Sequence, residues 1–145
     1  MSEGKSNPDM QQMLQYAQAA FERMPTLGPV AWLFGRDEQK KYLTLADLDW
    51  AVQPPLILDQ CRLFMNDKMP FAYVSWAFVS DEVHARLQQG QTRLAPHEWK
   101  GGGHVWLIDI VIPFGQGDAV LADLKQSALA NQVIHAWINE QAVEL

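Results

Sequence analysis

The chain has 145 residues, 17 acidic and 11 basic side chains, a net charge of −6 and one cysteine. That length suits one domain with a real core. The acidic balance argues against a nucleic-acid surface, which would be basic, and a lone cysteine excludes an internal disulfide. No run approaches the roughly 18 apolar residues needed to span a bilayer, and the polar N-terminus has no apolar signal core, so a cytoplasmic location is expected.

Residues 1–9 read as a disordered lead-in to a single domain over 10–145. Asp9 suits an N-cap, and Met10, Met13, Leu14, Ala17, Ala20, Phe21 and Met24 recur at helical spacing, which predicts a helix over 10–23 with its apolar face on the core. A docking surface is the other reading of that methionine-rich face. Pro25 is expected to end the helix. Pro29 suits the first turn of a second helix over 30–34. The charged run 36–41 reads as a solvated loop or helix face. Thr44 and Asp47 resemble a capping box with Asp in place of Glu, opening a short helix that turns Leu45, Leu48 and Trp50 or Val52 inward and stops at Pro54 and Pro55.

Residues 61–65 and 70–79 are strand-like, and Asn66-Asp67-Lys68 between them is turn chemistry, so a β-hairpin is predicted. In the second strand Ala72, Val74, Trp76 and Phe78 form an apolar face. Phe71, Tyr73, Ser75 and Ala77 form the other, whose two hydroxyls suit a cleft. Cys61 reads as a small core residue. Ser80 starts a helix running to about residue 89. Residues 90–100 form an irregular excursion, and Gly101-Gly102-Gly103 links it to the next strand. No Lys-Ser/Thr and no helix follows those glycines, which speaks against a phosphate loop.

Residues 103–117 are an apolar, β-branched and aromatic run bounded by glycines, as expected of a buried central strand. In its middle sits one carboxylate, Asp109, costly there unless paired or hydrogen-bonded. Regular alternation puts Val105, Leu107, Asp109 and Val111 on one face and His104, Trp106, Ile108 and Ile110 on the other, so His104 and Asp109 do not meet unless a bulge intervenes. Asp118 is expected to cap a helix to about residue 130, with Ala119, Leu121, Ala122, Leu124 and Leu129 inward. A last strand follows over 133–139, and its order implies a parallel crossover. The pattern is α+β, a mixed central sheet with flanking helices. His84, His97, His104 and His135 match no metal spacing and no second cysteine is available, so no metal is expected.

Three segments carry a resemblance: Leu27-Gly28-Pro29-Val30-Ala31-Trp32-Leu33-Phe34, Pro70-Phe71-Ala72-Tyr73-Val74-Ser75-Trp76-Ala77, and Trp106-Leu107-Ile108-Asp109-Ile110-Val111-Ile112-Pro113-Phe114-Gly115. In order, content and spacing they resemble the RTX toxin-activating lysine acyltransferases, the haemolysin-activating family. The resemblance implies an N-acetyltransferase-like fold. It also implies transfer of a fatty acyl chain from acyl carrier protein to lysine side chains of an RTX-type protoxin, with no bound cofactor and a possible homodimer. By position Asp109 matches the family's catalytic Asp, and Tyr73 and Ser75 match polar positions expected to bind substrate. The family's catalytic His lies in a Ser-Pro-x-His-Arg segment. Here Lys40 takes that position, and the first histidine of the chain is His84. Family members usually continue well past the last strand, whereas this sequence stops at Leu145. A lysine at its ordinary pKa of about 10.4 is a poor base. Three readings therefore stand: a lysine acyltransferase with a rebuilt catalytic group, a non-catalytic relative that binds acyl carrier protein or an RTX-type protein, and a small-molecule enzyme on the same fold.

Overall fold

The computed structural model describes residues 8–145; most of the expected lead-in, 1–7, lies outside them. Helix α1 is Pro8–Glu22, so residues 8 and 9 belong to the helix rather than to the lead-in. Its apolar face does not reach the core: Met13, Leu14 and Phe21 are 67, 59 and 68% exposed, and Ala20 alone is buried. Helix α2, Met24–Phe34, is longer than expected, because Pro25 falls in its first turn and Pro29 is accommodated inside it. Proline in the first turn costs no hydrogen bond, and Val30, Leu33 and Phe34 anchor the rest in the core.

The capping box forms: Thr44 N–H donates to Asp47 Oδ2 at 2.8 Å and Asp47 N–H to Thr44 Oγ1 at 3.3 Å. It opens α3, Leu48–Ala51. Leu45 faces outward at 86% exposure while Val52 is buried. Pro54 and Pro55 do not stop a helix but start one, α4, Gln53–Ile57.

Strands β1 (Cys61–Asn66) and β2 (Met69–Val79) make the expected hairpin, with Asp67 in the left-handed region at its turn. Helix α5 (Asp81–Gln88) is capped by Ser80, whose Oγ accepts the Val83 N–H at 3.3 Å. Strand β3 is His104–Val111, α6 is Gly117–Gln126 and β4 is Ile134–Ile138. Asp118 sits in the first turn of α6, with Gln116 at the cap. The buried side of α6 is Val120 and Leu124; Ala119 and Ala122 point to solvent. A strand not foreseen from sequence, β5 (Gln141–Glu144), follows a turn in which Asn139 and Glu140 both have positive φ. The sheet order is β1-β2-β3-β4-β5, antiparallel except for the β3–β4 pair, with β3 central. The architecture is the expected α+β mixed sheet.

One irregularity sets the site. Ser75 pairs with Asp109 but Trp76 pairs with Leu107, so Ile108 is an extra residue in β3. Such a bulge reverses which face the following residues take. Val105 and Leu107 pack with Val120 and Leu124 of α6, whereas Trp106 packs with Val83 and Leu87 of α5 and Val111 with α2 and Tyr73. Asp109 therefore does not share the face of Val105 and Leu107, as regular alternation predicts. The bulge turns it toward α2–α4, on the side of Trp106.

Candidate active site

Asp109 is 8% exposed, and its carboxylate accepts a hydrogen bond from Lys40 Nζ at 2.7 Å. The charged run that reads as a solvated loop thus supplies the partner for the buried carboxylate. Local chemistry holds Lys40 there. Asp37 Oδ1 accepts the backbone N–H groups of Gln39 and Lys40 at 2.9 and 3.0 Å, folding the run into a short 3₁₀ turn over Lys40–Tyr42. From the other side Ser75 Oγ accepts the backbone N–H of Asp109 at 3.1 Å. A serine on β2 thereby satisfies an amide that the bulge takes out of the regular ladder.

Lys40 and Asp109 form one wall of a cavity of about 230 Å³. Trp50, Ala51, Leu94, Trp99 and Ile108 give it an apolar lining. Trp50 is fixed by its N–H to Asp47 Oδ1 at 3.1 Å and by the Arg93 guanidinium 4.4 Å from its ring centre. The loop carrying Leu94 and Trp99 is tied to α5 by a two-pronged Arg86–Glu98 pair at 2.6 and 2.9 Å. The Arg86 hydrogen bond holds the Glu98 carboxyl below its usual range. Gln39 and Thr92 also border a second opening, with Gly90, Trp137, Asn139 and Glu140. That opening lies where β3 and β4 part, since their pairing spans only residues 105–107 and 134–136.

Tyr73 and Ser75, expected to line a cleft, are wholly buried and absent from the cavity wall. Ser75 supports Asp109 from behind. The Tyr73 ring packs edge-on to Phe34, and its hydroxyl has no hydrogen-bond partner among the described residues. Burial first, then the neighbouring Cys61 and Asp109, push that phenol well above its ordinary pKa. Cys61 is itself raised to about 11, chiefly by burial. The lining residues Trp50, Leu94 and Trp99 carry no sequence signal of their own. They belong to a short helix and an irregular loop that only the tertiary fold brings to Asp109.

These features define a small mixed-sheet α+β protein with one charged pair, set at a strand bulge, facing an apolar cavity. The family model described as HlyC, the RTX toxin acyltransferase family, matches residues 19–144, and the chain belongs to that family. It is 31% identical over 100 residues to an RTX-II toxin-activating lysine-acyltransferase of Actinobacillus pleuropneumoniae, covering 69% of this chain and 62% of the relative. It is 32% identical over 94 residues to a protein-lysine myristoyltransferase of Kingella kingae, covering 65% of this chain and 56% of that protein. An uncharacterized protein of Synechocystis is 24% identical over 110 residues, covering 74 and 75% of the two chains. The chain thus spans about three fifths of the length of the named acyltransferases it matches. Among the described residues no helix is long and apolar enough to cross a membrane.

Proposed function

We propose that this chain is a protein-lysine acyltransferase that moves a fatty acyl group from the thioester of acyl carrier protein to a lysine of an RTX-type protein. The observation that carries the reading is the Lys40–Asp109 pair, 2.7 Å apart on the wall of an apolar cavity, in a chain of this family. The attacking lysine nitrogen forms a C–N bond with the thioester carbonyl. The C–S bond then breaks, and the thiol leaves with a proton. The attacking amine must first shed its own proton. An ammonium held against a carboxylate has no lone pair to offer, so that duty falls to Asp109. Lys40 orients the carboxylate and offers positive charge where the thioester oxygen turns negative. The apolar cavity and the opening between β3 and β4 suit an acyl chain and its flexible carrier arm.

A second reading rests on the same contact. Lys40 stands where the resemblance places the family histidine, and its ion pair closes off the base. That suits a non-catalytic relative that binds acyl carrier protein or an RTX-type protein. The two are separated by mixing purified protein, acylated carrier protein and a candidate RTX-type target, then measuring the intact mass of the target. Gain of an acyl mass that disappears with Asp109→Asn supports the enzyme. No gain under conditions in which an A. pleuropneumoniae relative acylates its own target leaves the binding reading.

A further inference from the structure

At the far end of β3 from Asp109, three histidines distant in sequence come together. His84 on α5, His104 at the start of β3 and His135 on β4 each offer one ring nitrogen within 4.8 Å of the other two. The fold removes the separation on which the expectation of no metal rested. The His84 and His104 rings stack at 4.0 Å, and His135 stands edge-on to His84 at 4.9 Å. We propose that His84, His104 and His135 form a binding site for a zinc-class divalent transition-metal ion, one that staples α5 to β3 and β4.

One contact favours ligation directly. His104 Nε2 lies 2.6 Å from Asp81 Oδ1. A carboxylate on one ring nitrogen leaves the other with its lone pair, the arrangement that orients metal-bound histidines. Trp106 donates its indole N–H to His84 Nδ1 at 2.9 Å, so the neutral His84 ring holds its lone pair at Nδ1, already engaged, and ligation has to displace that bond. Zinc–nitrogen bonds of about 2.0–2.1 Å in a tetrahedral site put ligand atoms about 3.4 Å apart. Binding therefore draws the rings together and tilts the stacked pair. The half-exposed His104 and fully exposed Asp81 side chains can follow. A fourth position stays open to water. The site is five residues from Asp109, about 16 Å of extended strand, so it acts on the fold and not on the reacting groups.

Ligation has a signature that a merely structural histidine cluster lacks. Whichever nitrogen of His84 takes the ion, the Trp106 hydrogen bond is lost. Either Nδ1 is occupied, or Nδ1 carries the proton and cannot accept. The test is titration of tag-free, chelator-treated full-length protein with zinc chloride, by calorimetry and by following the Trp106 indole N–H resonance. One ion per chain at low micromolar affinity or tighter, a displaced Trp106 signal and a melting temperature raised by at least ~3 °C are expected. His135→Gln and His104→Gln should each weaken binding at least about tenfold, whereas His97→Gln, outside the cluster, should not. Circular dichroism checks that each variant is folded, and the exposed His104 variant serves should His135→Gln misfold. No binding, or equal binding by His104→Gln and the unaltered protein, overturns the proposal.

Discussion

The Lys40–Asp109 contact lies between the two regimes known for ion pairs, with side chains 25 and 12% exposed. Exposed pairs contribute little, and deeply buried ones are costly to break. A double-mutant cycle with Lys40→Met and Asp109→Asn in urea should give a coupling energy of about 1–2 kcal/mol; zero would mark the contact as incidental. On the proposed function the Lys40 ammonium supplies charge at the thioester oxygen, so Lys40→His should lower the acylation rate. A faster variant would show that a neutral base at this position outweighs the charge. The buried Cys61 thiol gives a pH prediction. Its folded pKa, about 11, lies above that of an unfolded thiol. The unfolded chain therefore ionises first, so this contribution to stability is intact below about pH 8.5 and is lost progressively toward pH 11. Cys61→Ala should flatten that alkaline decline in a series of melts. Asp109 was legible in the sequence, because a lone carboxylate in an apolar strand demands a partner. Nothing in the chemistry of 36–41 marked Lys40 as that partner. It was reached only through its alignment with the family histidine, because a charged run looks the same whether water or a distant carboxylate meets it.

Among the elements, the three glycines before β3 separate into different roles. A Cβ on Gly102 would stand 2.3 Å from the Val79 carbonyl oxygen and 2.6 Å from the Ser80 backbone, whereas one on Gly103 meets nothing within 4 Å. The chain passes this closely because Gly101 and Gly102 both donate to the Phe78 carbonyl, at 2.7 and 3.0 Å. Gly102→Ala should therefore cost about 2–4 kcal/mol by forcing backbone apart, while Gly103→Ala stays within about 0.5 kcal/mol. Equal effects in denaturant melts would refute the close approach. The hairpin, the Ser80 cap and the Thr44–Asp47 box were readable because each is written in a few adjacent residues. The bulge at Ile108 was not, since it exists only in the register between β2 and β3. Helix α2 was cut short in the reading because Pro29 suits a first turn and so sets the start there. The helix instead begins at Met24, and burial of Val30, Leu33 and Phe34 offsets the proline inside it. Strand β5 escaped notice because Gln-Ala-Val-Glu has little strand character without β4 beside it.

For the whole molecule, the weakest seam of the sheet is the β3–β4 pair. Only three residue pairs join it, and β3 and β4 then part beside the candidate site. Yet β4 carries Ile134 and Ala136, both fully in the core against Leu124 and Leu129. What holds β4 on its outer side is β5, through four residue pairs and a closing bond from Leu145 N–H to the Ile134 carbonyl at 2.7 Å. Removing residues 140–145 would leave β4 as a bare edge attached by three pairs. Several ladder hydrogen bonds of about 1 kcal/mol each would go, and unpaired edges recruit other chains. The truncated protein should melt at least ~5 °C lower, at a few degrees per kcal/mol for a domain of this size. It should also run as larger species by size exclusion with light scattering. If it melts as before and keeps its size, β5 is an ornament, and the β3–β4 seam is held by core packing alone. If β4 loosens, the opening beside Trp137 widens with it. Acyl transfer should then fall before global unfolding is detectable, because Gln39, next to Lys40, lines both the Lys40–Asp109 cavity and that opening.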